Sequence, residues 1–385
     1  MSKPSRAVNP VSNALAARTV DPDKFENVLQ LGGIRTGTLD APAGSGRSVR
    51  VALVDTGAGF RFTVALDRGG DIVDAHYNDV GLAYLSRNGL RPPSHAFHVE
   101  NEWLANWPGG LVTTCGPEFI GGSRLESGIR TTLHGRYSNT PAALERLINP
   151  DPARGQFDME LGLIVRDSRV FGQLFEIRRT LRATLGKPEV TIEDEVTNRD
   201  DTPHAHHWLY HCNLGYPLLD ENVRFIYRGR AQYWVVPPPP GQDIVQPLPA
   251  AEMNALKHVP PALREHAGAG ERGLIVETEA EADGRCRIGL INESLPLGIE
   301  LIYPRAALPR LAHWQHYGPR GSYASALEPF HGSLLGSARD SHPLTTSLLE
   351  PGESRTYQLT LRVLPTRESW GPLVAADGAI SSHRS

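Results

Sequence analysis

The sequence predicts an all-β protein, one large antiparallel β-sandwich with few short helices. Thirty-one prolines and thirty-eight glycines in 385 residues interrupt the chain too often for long helices. Its clearest apolar pattern has a period of two, that of strands with one buried face. Forty per cent hydrophobic residues are enough for a substantial core, and 21% charged is near the average for soluble proteins.

Residues 1–25 are polar and read as a loose N-terminal arm. Strands follow at Ser48–Asp55, Arg61–Leu66 and Phe157–Val165. Between them Ala142–Ile148, after Pro141, is expected as a short helix with proline in its first turn. From Phe171 onward, Phe175, Ile177, Leu181, Ala183 and Leu185 alternate with Glu176, Arg178, Thr180, Arg182 and Thr184. Arg179 breaks the apolar face, so the strand passes near something polar. Gly186-Lys-Pro188 makes a turn, and Val190, Ile192 and Val196 alternate with Thr191, Glu193, Glu195 and Thr197, which completes a long hairpin. Pro237–Pro240 and the Pro/Ala-rich Val245–Gly270 form an excursion over 237–270, the length of a lid or binding loop. Further strands read at Leu274–Thr278, Arg285–Asn292 and Gly298–Tyr303. Glu350-Pro-Gly-Glu353 leads into a last one at Tyr357–Val363, whose edge could pair with a second copy in a homodimer. Nothing marks a linker, so 26–368 is expected as one domain and 369–385 as a tail.

A net charge of −4 and a pI near 6.4 argue against nucleic acid, which needs clustered Lys and Arg. No apolar run reaches the length of a membrane span, and the polar N-terminus has no apolar signal core. Three cysteines, Cys115, Cys212 and Cys286, make no disulfide framework; a cytoplasmic protein is expected. The Gly-Gly pairs at Gly69, Gly109 and Gly121 never form a phosphate-cradling loop, so no cofactor is expected.

The residues suited to chemistry begin with the strand His204–Pro217. Its alternation sets His207, Leu209, His211 and Asn213 on one face and His206, Trp208, Tyr210 and Cys212 on the other. A single histidine here would be read as a hydrogen-bonded core residue, but four within eight positions suit proton exchange. Cys212 and His211 face opposite ways, which rules out a nucleophile–base pair. His134 precedes Gly135, where a substrate could approach the backbone, although a turn histidine is equally natural. Glu328 shares a face with Ala326 and Phe330, so its carboxyl must be paired, hydrogen-bonded or raised in pKa. By residue type alone, an ion pair with an arginine explains it as well as catalysis does. Asp67-Arg-Gly-Gly-Asp71 reads as a turn with an exposed salt bridge.

Together these segments resemble the aldose 1-epimerase (galactose mutarotase) superfamily. Arg68 on an early strand end, His134 in a His-Gly pair, His211 with Asn213, Glu328 before proline and Pro351-Gly-Glu353 follow the family's order over roughly Asn27 to Pro365. Asp67-Arg-Gly-Gly-Asp-Ile72, Gly110-Leu-Val-Thr-Thr-Cys-Gly116, Leu133-His-Gly-Arg136 and Tyr210-His-Cys-Asn213 look closer still to an uncharacterised bacterial branch. The resemblance implies a galactose mutarotase-like supersandwich acting on a monosaccharide, with Glu328 as base, His211 as acid and His134 at the ring-oxygen side or a hydroxyl. It implies substrate contacts from Arg68, Asn213 and His207, and Trp314 or Trp103 could stack on a pyranose face. The sequence departs from the family around its second histidine, Tyr-His-Cys-Asn-Leu-Gly, and offers no match for the family's substrate-orienting aspartate, whose stretch corresponds to Val245–Gly270.

Two other readings stand beside this one. A metal-assisted isomerase or lyase on a keto-sugar would use His204 and His206, about 7 Å apart along one strand face. A non-catalytic sugar-binding protein would need the stacking indoles but no acid–base pair.

Overall fold

The computed structural model describes residues 20–40, 48–126 and 128–382. Most of the expected 1–25 arm lies outside the described residues; Pro22–Lys24 is a 3₁₀ turn capped by Asp21. Strict alternation along the hairpin gives Leu174–Thr184 and Glu189–Asn198, antiparallel and in register. They sit inside an eight-stranded sheet ordered Arg224–Ile226, Arg285–Asn292, Leu297–Pro304, Ser354–Leu364, Glu189–Asn198, Leu174–Thr184, Asp158–Ser168 and Ala142–Ile148. A second sheet runs Val245–Gln246, Gly229–Val236, Glu271–Thr278, Arg310–Tyr317, Tyr323–His331, Trp208–Gly215 and Thr113–Cys115, with Ile380–Ser382 parallel to Gly229–Val236. A five-stranded antiparallel sheet, Gly33–Asp40 through Val80–Gly81, completes the β framework. Ile177, Ile192, Leu359 and Leu361 of the first sheet share one core with Trp208, Tyr210, Cys212, Leu274 and Leu327 of the second.

One cluster of buried polar residues joins the sheets across that core. Arg179 lies opposite Asp194 in the hairpin register, so two interruptions of the apolar alternation meet. The guanidinium donates from Nε and Nη2 to the two Asp194 carboxylate oxygens, both at 2.8 Å, and from Nη1 to Asp71 at 3.2 Å and the Gly69 carbonyl at 3.1 Å. Thr114 Oγ1 accepts from Nη2 at 2.7 Å, and the Tyr210 hydroxyl donates to Asp194 at 2.7 Å. Burial pulls the Arg179 guanidinium down, but Asp194, Tyr137 and Asp71 together outweigh it and hold the group well above the ordinary arginine value. Burial raises the Asp71 carboxyl to about 6 in spite of Arg179.

Several expectations are corrected. Ala142–Ile148 is an edge strand on Asp158–Ser168, not a helix; proline is also tolerated at the start of an edge strand, and cross-strand packing overrides helix propensity. His204–Pro217 divides into His204–Ala205, paired with Leu348–Leu349, and Trp208–Gly215. Ser354–Leu364 lies inside its sheet, between Glu189–Asn198 and Leu297–Pro304, with Thr360–Leu364 paired to the latter. The 369–385 tail is ordered fold as far as Ser382: Trp370 and Leu373 are buried beside Ile226 and Ile291, and Ile380–Ser382 extends a sheet. The 237–270 excursion carries the helix Ala250–Ala255 and the buried Lys257, whose ammonium donates to Tyr227 O, Gly378 O and Asp377 and so pins the C-terminal segment.

Replacing Arg179 with methionine leaves Asp71 and Asp194 buried without their cation. The expected loss is about 3–5 kcal/mol, read as a lower denaturation midpoint at unchanged slope; a loss under about 1 kcal/mol would mean that the cluster does not hold the sheets.

Candidate active site

The face of the second sheet turned away from the main core carries the candidate chemistry. Along Trp208–Gly215, Trp208, Tyr210 and Cys212 enter the core while Leu209 joins a smaller cluster with Ala312 and Phe330. Leu209 pairs with Phe330 and Cys212 with Leu327, so His211 falls opposite Glu328, which in turn pairs with Ala312. The His211 Nε2 atom lies 3.3 Å from Glu328 Oε1, with side chains 5% and 4% exposed. His134 arrives on a loop, in the left-handed region at φ 57°, and its ring meets that of His211 edge-on at 5.4 Å. Gly135 is needed next to it because any Cβ would collide with the carbonyls of Gly116 and Phe119. The close approach there is backbone on backbone, not substrate on backbone.

Indoles surround the pair. Trp314 and Trp107 lie 5.6 and 5.7 Å from the His211 ring, and Trp103 stacks on Trp107 at 5.2 Å while meeting His134 at 4.9 Å. Each has its N–H placed: Trp103 on Ser138 Oγ, Trp107 on Thr113 Oγ1, and Trp314 on the Glu271 carboxylate at 2.6 Å. Burial raises the Glu328 carboxyl well above its ordinary value, and the nearby Glu271 carboxyl raises it further. Glu271 is itself raised by burial, against the pull of the Trp314 hydrogen bond. Burial and His134 hold His211 well below the imidazole range, and burial lowers His134 to about 4. Both shifts favour the neutral form of the His211–Glu328 pair, with the proton on the carboxyl beside an uncharged imidazole.

Of the residues singled out in the sequence, the structure brings together Glu328, His211, His134, Trp314 and Trp103. Asn213 is fully buried, and its amide donates to the carbonyls of Gly110 and His211, so it lies behind the histidine and not in the site. Arg68 is buried at its turn, donating to Arg91 O at 3.3 Å, and burial lowers it to about 10; no hydrogen bond joins it to the cluster among the described residues. His207, just before the strand that carries His211, accepts from Ser333 N at 3.1 Å. His204 is held by Asp200 at 2.5 Å, while His206 contacts Pro117 O and Tyr357 Oη, so the two rings do not converge. Among the described residues no group of three or more His, Cys, Asp or Glu side chains could hold a metal ion. Likewise no helix is long and apolar enough to cross a membrane. Glu271 and Trp107 escaped the sequence reading. Glu271 opens its strand just past the Val245–Gly270 stretch, and only sheet register, Arg272 opposite Gln315, brings it beside Trp314.

A family model described as a domain of unknown function, DUF4432, matches residues 46–363. The chain belongs to the DUF4432 family. No curated protein matches its sequence. Among solved structures, this DUF4432 protein resembles a candidate aldose 1-epimerase from Klebsiella pneumoniae at 18% identity over 94% of each chain, with a TM-score of 0.76. It also resembles a galactose mutarotase-like protein from Clostridium acetobutylicum at 12% identity, over 87% of this chain and 99% of that one, with a TM-score of 0.58. At these identities the likeness is one of fold, the galactose mutarotase-like sandwich.

The coupling of the two carboxyls is open to test in this DUF4432 protein by replacing Glu271 with glutamine, which can still accept from Trp314. The Glu328 carboxyl should titrate lower than in the wild type, yet above an ordinary glutamate because burial is the larger cause; carbon-13 NMR of the glutamate carboxyls measures it. An unmoved titration would show that the carboxyls do not interact.

Proposed function

We propose that this protein is a carbohydrate epimerase of the aldose 1-epimerase type, interconverting the anomers of a monosaccharide. The observation that carries the reading is the buried His211–Glu328 pair, an acid and a base in contact inside a wall of indoles. Anomer exchange requires the C1 hydroxyl to lose a proton as the ring oxygen gains one. Both oxygens sit on one carbon, so neighbouring groups that share a single proton can serve both.

When the proton has crossed the 3.3 Å contact to His211, Glu328 removes the hydroxyl proton. The O–H electrons form the C1=O1 double bond, the C1–O5 pair moves to O5, and O5 takes the proton from His211. The pair is then back at its resting protonation, with Glu328 neutral, while the aldehyde rotates. Reclosure on the other face runs the same transfers in reverse. Trp314 and Trp107 supply flat surfaces for the apolar face of a sugar and exclude water. Glu271, placed by Trp314, is positioned to accept from a hydroxyl, the task for which the sequence offered no aspartate.

Saturation-transfer NMR on a panel of aldoses tests this. Accelerated anomer exchange is expected on at least one sugar, falling about 10²-fold or more in Glu328→Gln. The activity needs one proton on the pair. Its acid limb should therefore lie below 6.5, the ordinary imidazole value, and its alkaline limb well above 4.5, the ordinary carboxyl value. No acceleration on any aldose, or a Glu328→Gln variant as fast as wild type, would overturn the reading.

A further inference from the structure

His211 must present one particular ring nitrogen to Glu328, and the structure shows what selects it. Two buried polar atoms on this strand face have no hydrogen-bond partner: His211 Nδ1 and Asn213 Oδ1. The residues are two apart on one strand, so their side chains project from the same face. The Asn213 amide cannot be turned round. Its Nδ2 lies 3.0 Å from Gly110 O and 2.9 Å from His211 O, and both carbonyls can only accept. Oδ1 is thereby fixed as an acceptor lacking a donor. The adjacent Thr113 hydroxyl does not supply one, since it donates to Gly109 O and accepts from Trp107 Nε1. A buried amide oxygen left unpaired is destabilising, because its lost hydration is not replaced.

We propose that Asn213 is a positioning residue whose Oδ1 accepts from the Nδ1–H of His211, holding the imidazole in the tautomer whose Nε2 lone pair faces Glu328. With the other tautomer, two buried atoms would stay unsatisfied, and an N–H would point at a carboxyl that itself carries the proton. An Asn213 acceptor also opposes the lowering of His211 by burial and by His134. The catalytic part of this inference rests on the epimerase reading; the tautomer itself does not.

The test is the ring-nitrogen NMR of protein labelled with ¹⁵N-histidine, with the His211 signals assigned by their loss in His211→Gln. A protonated Nδ1 and an unprotonated Nε2 at neutral pH are expected, and the reverse pattern overturns the proposal whatever the activity. Asn213→Leu removes the acceptor; it should mix the tautomers and lower anomer-exchange turnover about 10–100-fold, the usual range for a lost orienting partner, with little change in KM. Asn213→Asp keeps an acceptor oxygen and adds charge, so it should recover turnover relative to the leucine variant and move the acid limb of the pH profile upward. Turnover lost in Asn213→Leu while the wild-type tautomer persists would also overturn the proposal. Should a variant fail to fold, the wild-type tautomer decides. A protein that exchanges no anomers yet shows Nδ1–H would defeat the epimerase reading and leave the positioning intact.

Discussion

The buried guanidinium of Arg179 is the constraint on which the rest of the structure depends. It joins the hairpin strand bearing Asp194 to Asp71 at the start of the fourth strand of the five-stranded sheet, and to Thr114 in the sheet that carries the site. Tyr210, bonded to the same Asp194, is the chain neighbour of His211. An apolar core alone would tolerate sliding between the sheets. A cation whose carboxylate partners sit on different elements does not, because any slip leaves a charge unpaired in a dry interior, and breaking such a pair costs about 3–5 kcal/mol.

From that anchor the site follows by alternation. Tyr210 faces inward to Asp194, so His211 faces the other side, where register sets it against Glu328. The indoles and the adjacent strands remove both groups from water, and desolvation outweighs charge interactions there. The histidines are driven toward neutrality, and Glu328 and Glu271 toward their protonated forms. A lone exposed His–Glu contact would hold an ordinary ion pair at neutral pH. Burial shifts the single proton of such a pair from the imidazole towards the carboxyl.

Much of the fold was legible in the sequence because period-two alternation is a local signal. Ser48–Asp55 and Arg285–Asn292 have the expected bounds, and the anomaly at Arg179 was visible as a break in an apolar face. Its partner Asp194 interrupts the Val190–Val196 alternation in the same way, but the pairing of the two became apparent only from register. Ala142–Ile148 misled because an edge strand exposed over most of its length carries little alternation, and proline at its start suits either element. Within the candidate site, His134, His211 and Glu328 were singled out through family order and Trp314 as an indole that could stack on a sugar. Glu271 was not, since its place beside Trp314 is set by pairing between strands some forty residues apart. Arg68 and Asn213, matched through that order, and His207 were assigned to substrate, yet burial and hydrogen bonding tie them to the protein's own backbone and, for Asn213, to His211.

The most direct measurement is a crystal structure of the Glu328→Gln variant soaked with aldoses. A pyranose is expected against the Trp314 and Trp107 indoles, with O1 and O5 within hydrogen-bonding distance of position 328 and His211 Nε2. A sugar bound elsewhere, with His211 still in contact with residue 328 and shielded from it, would contradict the account.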